Sequence, residues 1–184
     1  MDIRTLDLAA IASTGAFIDV IEDGQWDLPS PCTEWTVRGV VEHMVANNRR
    51  TLGHLGVEFD GTGDPRADFH SSAAALHAQF ADETVLTRPF PVGPFELSGA
   101  QALGVHFFDV LVHGWDVGVS LGHEVVLDER LAAAALEVIG SFPEHEAIYG
   151  PSALFAGRLA VAEDATAQER LLARTGRRPG QRGA

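Results

Sequence analysis

Apolar residues recur at three- and four-residue steps near the start of the chain: Leu6, Ala9, Ala10, Ala16, Phe17, Val20 and Ile21. That period gathers them on one helix face, so a helix is predicted over residues 3–21, ended by Gly24. Residues 25–35 carry Pro29 and Pro31 and read as a loop. Thr36 suits the cap of a second helix that starts at Val37 and runs to about Leu55. A Gly- and Asp-rich surface loop, 57–65, leads into a third helix over 67–80. Residues 84–97 hold Pro89, Pro91, Gly93 and Pro94, which predicts irregular structure or a short hairpin rather than a helix. A long helix over 98–121 is closed by Gly122, and another over 128–139 starts from the acidic cap Asp128. Residues 149–162 read as loop or short extended structure, and 166–175 as a short helix. The expected architecture is all-α: a four-helix bundle with short extra helices and an irregular or hairpin insertion. It forms one domain over 1–175, and the Arg/Gly/Pro tail 176–184 is expected to be mobile.

The 98–121 helix carries the chemistry. At about 100° per residue, His106, Asp109, His113 and Asp116 share one narrow stripe. Phe107, Phe108, Val110, Leu111, Val112, Trp115, Val117 and Val119 cover most of the remaining circumference. A helix apolar nearly all round is buried, and its polar stripe then needs partners, a metal or a cleft. Asp109 and His113 are spaced i, i+4, about 6 Å apart along the axis, so both reach a common point. Carboxylate and imidazole suit zinc, nickel or iron(II). A catalytic metal normally has three protein ligands and an open position. The second helix offers His43, with Asn47, Arg50 and His54 on the same stripe. The competing reading is a salt bridge or buried hydrogen-bonded pair between Asp109 and His113. His106 is either a rival ligand, or a core histidine or one that supports the ligands from behind. Asp116 either orients His113 from behind, caps the helix end or pairs with an arginine. Arg50 is either a bidentate grip on a substrate carboxylate or a surface arginine. His54, His70, His77, His123 and His145 read as solvated.

Composition narrows the classes. The chain has 184 residues, 46% hydrophobic and 21% charged, which is ordinary for one globular domain. Its 13 basic and 26 acidic residues give a net charge of −13, which repels nucleic acid and anionic membrane surfaces. Every basic residue is arginine, so Schiff-base, pyridoxal-phosphate and phosphate-loop lysine chemistries are excluded. Gly61-Thr62-Gly63 follows no strand, and no Gly-x-Ser-x-Gly elbow exists. Cys32 is the one cysteine, so neither an internal disulfide nor a cysteine-based zinc cluster can form. It reads as a buried thiol, or as a thiolate near the start of the second helix. No signal-like segment or membrane-length apolar run is seen, and a soluble cytoplasmic protein is expected.

Pro29-Ser30-Pro31-Cys32-Thr33-Glu34-Trp35-Thr36-Val37-Arg38, followed by Val41-Glu42-His43-Met44, resembles the start of the mycothiol-dependent maleylpyruvate isomerase N-terminal domain, of the DinB-like superfamily. Phe108-Asp109-Val110-Leu111-Val112-His113-Gly114-Trp115-Asp116 resembles its second signature. The stretch from Gly157 to Pro179 is similar to an actinobacterial subgroup of that family. The resemblance implies a DinB-like bundle holding a divalent metal, zinc before nickel or iron, on His43, Asp109 and His113. The isomerase has glutamate where this chain has Asp109, so the metal would sit nearer that helix or be held through water. The isomerase also carries a C-terminal domain for which this chain has little room. The expected activity is metal-dependent activation of a low-molecular-weight thiol such as mycothiol, for S-transfer to, or isomerisation of, a small electrophile. The alternatives are a hydrolase using the same site and a non-catalytic bundle that binds a metal or small ligand. The expected partners are a small-molecule substrate or thiol, with the chain a monomer or homodimer.

Overall fold

The computed structural model describes residues 1–32, 35–92, 95–142 and 157–178. Helices dominate: α1 (Ile3–Asp19), α2 (Val37–His54), α3 (Pro65–Phe80), the single-turn α4 (Glu83–Thr87), α5 (Gly99–Ser120), α6 (Glu129–Gly140) and α7 (Ala167–Arg174). Strands β1 (Pro89–Val92) and β2 (Phe95–Ser98) form an antiparallel hairpin between α4 and α5, with Phe90 opposite Leu97.

Each start depends on a local cap. The Thr36 hydroxyl accepts from the Gly39 N–H at the head of α2. Reciprocal Ser98–Gln101 and Thr166–Glu169 boxes open α5 and α7. Asp64 caps α3 with Pro65 in its first turn, so that helix starts two residues earlier than the 67 expected. In the 84–97 stretch the hairpin is present, but Asp82 caps a helical turn just before it.

Helices α1, α2, α3 and α5 form the four-helix arrangement, with α1 against α5, α2 against both α3 and α5, and α1 against α3. On α1 the expected Leu6 and Ala10 are buried, and the core face also takes in Thr14 and Ile18, while Ala16 and Val20 are exposed. Close approach to α5 decides this. The Thr14 hydroxyl donates to the Val110 carbonyl at 2.9 Å, and Gly114 lies so near Thr14 that a Cβ there would collide with its Oγ1. Buried Phe107, Phe108, Leu111 and Trp115 bear out a helix α5 surrounded by core. A smaller cluster of Leu52, Leu76, Phe80, Val85, Phe90 and Leu103 seats the hairpin.

Helix α7 packs on α6 and ends in a turn that fixes the path of Gly176 and Arg177. Gly176 takes φ +80°, Arg177 N–H donates to the Leu172 carbonyl at 2.7 Å and Gly176 N–H to that of Ala173 at 3.2 Å. This αL termination sends the chain back toward the bundle. The tail expected to be mobile therefore begins with a buried residue: Arg177 is only 7% exposed. Residues 157–162 carry neither helix nor strand, as expected. The 149–156 part of that loop, His145, and the tail from 179 lie outside the described residues. Among the described residues, no helix is long and apolar enough to cross a membrane.

Candidate metal centre

Helices α2 and α5 face each other, and their polar stripes meet. His43 comes from α2, Asp109 and His113 from successive turns of α5, and one ligand atom from each lies within 4.8 Å of the others. Asp109 Oδ2 is 3.6 Å from His43 Nε2, and Asp109 Oδ1 is 3.4 Å from His113 Nε2. Four ligands placed tetrahedrally at about 2.0–2.1 Å from zinc stand roughly 3.4 Å from one another, so the donor set and its spacing fit such an ion. The two oxygens of the aspartate carboxylate face different imidazoles, Oδ2 that of His43 and Oδ1 that of His113. The Trp35 ring lies 4.4 Å from that of His43 and 5.7 Å from that of His113, closing one side of the cluster.

A second ring of residues aims the first. His113 Nδ1 donates to Asp116 Oδ2 at 2.9 Å, which turns Nε2 toward Asp109. Asp116 is fully buried and is gripped from the other side by Arg177, Nε to Oδ1 at 3.2 Å and Nη2 to Oδ2 at 2.7 Å. Arg177 Nη1 also donates to the Thr175 carbonyl at 2.8 Å. Asp116 thus takes two of the roles open to it, orienting His113 and pairing with an arginine, and it does not cap α5.

Burial pushes the His113 imidazole down, but the charges and hydrogen bonds of Asp109 and Asp116 together outweigh it and raise the pKa to about 9. Burial would raise the Asp109 carboxyl, yet His113 and then His43 hold it well below the usual carboxylate range. Burial likewise opposes ionisation of Asp116, and Arg177 and His113 together overcome it, so its pKa is lowered. Without metal, His113 and Asp109 therefore form a partly buried ion pair, and a cation must displace the His113 proton.

On α2, Asn47 Nδ2 lies 2.9 Å from His43 Nε2 and 3.2 Å from Asp109 Oδ2. Arg50 Nη1 donates to Asn47 Oδ1 at 2.9 Å. Arg50 is exposed at the rim of a cavity of about 580 Å³ whose wall includes the three candidate ligands. Phe90, Val92, Ala102 and Val105 supply an apolar side, and Cys32, Thr175 and Arg177 the opposite lining.

His106 stands apart from the candidate ligands. Its Nδ1 meets Asp7 Oδ1 at 2.6 Å and its Nε2 donates to Asn48 Oδ1 at 2.7 Å, with Asn48 Nδ2 donating on to Ser72 at 3.0 Å. Both nitrogens are engaged away from the cluster, which is the arrangement of a core histidine rather than of a ligand. Burial lowers its pKa, but Asp7 more than compensates and the net shift is upward. Of the histidines read as solvated, His70 and His123 are exposed, pairing with Asp19 and packing on Phe17 respectively. His54 is exposed but tied, with Nε2 3.1 Å from the Pro89 carbonyl and its ring against Phe90. His77 is half-buried, its Nδ1 shielded and without a hydrogen-bond partner among the described residues.

Sequence reasoning missed Trp35, Asp7, Asn48 and Arg177. Two signals were available. Asp7 and Thr14 stand at core steps with Ala10 and Ile18, so α1 carries polar groups on its buried face. Gly176 sits where a helix C-terminus wants glycine, which argued for an ordered turn.

Residues 8–67 match the model of the mycothiol maleylpyruvate isomerase N-terminal domain family. That span takes in Trp35, His43 and Asn47, and it bears out the resemblance seen at Pro29–Met44. The chain is homologous to two uncharacterized proteins of Mycobacterium tuberculosis, MT0763 and Rv0738, from different strains. It is 32% identical to each over 120 residues, 61% of this chain and 65% of each relative. The chain thus spans less than two thirds of the relatives' length. No solved structure matches it.

Proposed function

We propose that this protein is a metal-dependent enzyme that activates a low-molecular-weight thiol for addition to a small electrophile. The observation that carries the reading is the convergence of His43, Asp109 and His113 from two helices at the wall of an open cavity. Zinc suits the donor set best, with nickel and iron(II) next. Similarity to the mycothiol isomerase domain makes mycothiol the candidate thiol. When bound, a divalent cation supplies a Lewis acid that lowers the pKa of a coordinated thiol into the neutral range.

The chain's own residues do the rest. Asp116, backed by Arg177, keeps the His113 Nδ1 proton in place and its Nε2 directed at the cluster. The Trp35 ring packs against both imidazoles and helps to hold them in place. The apolar wall from Phe90 to Val105 takes the body of an organic ligand, and Arg50 at the rim can grip a carboxylate on it.

Elemental mass spectrometry of the purified protein tests this, beside His43→Ala and His113→Ala. About one zinc, nickel or iron per chain, lost in both variants, is the expected result. Consumption of a thiol with an activated alkene or a cis-alkene isomer should then depend on that metal. A protein that takes up no metal after reloading would refute the reading. One observation favours a non-catalytic bundle as the second reading: without a cation, the cluster already has partners in the His113–Asp109 pair and in Asn47.

A further inference from the structure

The Asn47 amide sits in the gap that a metal ion would use. His43 Nε2 and Asp109 Oδ2 are 3.6 Å apart, and Asn47 Nδ2 lies 2.9 Å from the first and 3.2 Å from the second. The amide orientation is not arbitrary. Arg50 has only donors, so the Asn47 atom it meets at 2.9 Å is the oxygen, and the NH₂ end must face the cluster. Both amide protons then point at lone pairs of two candidate ligands. A cation about 2.0–2.1 Å from those same atoms would meet the positive ends of two N–H dipoles.

We propose that Asn47 is a placeholder for the metal: its NH₂ group, locked by Arg50, satisfies His43 and Asp109 in the metal-free site and must turn out when a cation enters. The inference rests on the metal reading above and deepens it. Asn47 lowers metal affinity while giving the partly buried His43 Nε2 and Asp109 Oδ2 a shared hydrogen-bond partner in the metal-free site. Loading also releases Arg50 from the Asn47 oxygen and leaves its guanidinium open to an anionic group on a cavity ligand. By linkage, such an anion would in turn favour the loaded state.

The test is zinc affinity by competition with a chromophoric chelator at constant pH, for wild type, Asn47→Ala and His113→Ala. Asn47→Ala is expected to bind zinc about tenfold more tightly, the ratio set by one to two ordinary hydrogen bonds lost from the metal-free state alone. Structural damage would weaken binding, so a gain cannot come from misfolding. A second readout needs no variant to fold well. In the wild type, the Asn47 side-chain amide signals in a nitrogen–proton NMR spectrum, assigned by their loss in Asn47→Ala or by through-bond correlation, should shift on stoichiometric zinc. Equal or weaker zinc binding by Asn47→Ala, or amide signals that stay put while the histidine signals move, overturns the placeholder. In that case, loss of zinc in His113→Ala still leaves the metal reading standing. No zinc binding in either wild type or Asn47→Ala removes both.

Discussion

Replacing Arg177 with methionine keeps most of the side chain's volume and removes its cation. A stranded carboxylate is left behind. Asp116 is fully buried, and Arg177 gives it two hydrogen bonds, at 3.2 and 2.7 Å. Removing one partner of a buried ion pair typically costs about 3–5 kcal/mol, because the other charge stays buried and unpaired. Here His113 Nδ1 still donates to Asp116 Oδ2, so the lower end, about 3 kcal/mol, is expected. That is a large share of the roughly 5–15 kcal/mol holding a domain together. The pH dependence has a definite sign. Burial would raise the Asp116 pKa, Arg177 and His113 lower it on balance, and a lowered carboxylate pKa contributes stability above its unfolded value that is lost as pH falls. The gap between wild type and Arg177→Met should therefore be full at about pH 7 and narrow only below about pH 4, as at about pH 3. Urea unfolding of the metal-free proteins, followed by circular dichroism at both pH values, measures it. Pairing Arg177→Met with Asp116→Asn should recover about 2 kcal/mol by removing the stranded charge. A loss under about 1 kcal/mol, or no recovery in the double variant, would show that residues 175–177 do not hold the site as described.

Four further outcomes are expected. With metal absent, the raised His113 pKa contributes stability that is whole below about pH 6.5 and fades as pH climbs through about 9, which thermal melts across that range would trace. Because the cation must displace that same proton, apparent zinc affinity should rise about tenfold per pH unit below about 9, and a flat profile would show that His113 is not a ligand. Gly114→Ala should destabilise by about 1–3 kcal/mol, since its Cβ would lie 3.0 Å from Thr14 Cβ and closer still to Oγ1, and Thr14→Ala should rescue part of the loss in urea melts. His106→Leu strands Asp7 and the Asn48 oxygen at about 3 kcal/mol, yet zinc stoichiometry by elemental analysis should equal wild type; lost zinc would make His106 a ligand after all.

Helix starts were legible from residues alone, because a cap acts over three or four positions: Thr36 with Gly39, Ser98 with Gln101, Thr166 with Glu169. The pairing of Asp109 with His113 was legible for the same reason, since helix pitch sets an i, i+4 couple wherever the helix lies. The choice of His43 as their companion came from its place on an opposing amphipathic helix, and packing of α2 on α5 brought it within reach.

Other features had no local signature. On α5, His106 stands as near Asp109 in sequence as Asp116 does to His113, yet its nitrogens go to Asp7 and Asn48, 99 and 58 residues away. Arg177 reads as one arginine in a Gly- and Pro-containing tail until α7 docks on α6 and Gly176 turns it onto Asp116, 61 residues back. The orientation of Asn47 depends on both helices together, since Arg50 holds its oxygen from α2 while Asp109 takes its nitrogen from α5. The sequence alone determined the helices, their caps and the faces carrying ionisable groups, because those depend on interactions within about one turn. Only the tertiary structure decided which groups became a candidate metal cluster and which became the network that supports it. A buried charge must find its counter-charge, and the one it finds is set by how whole helices pack.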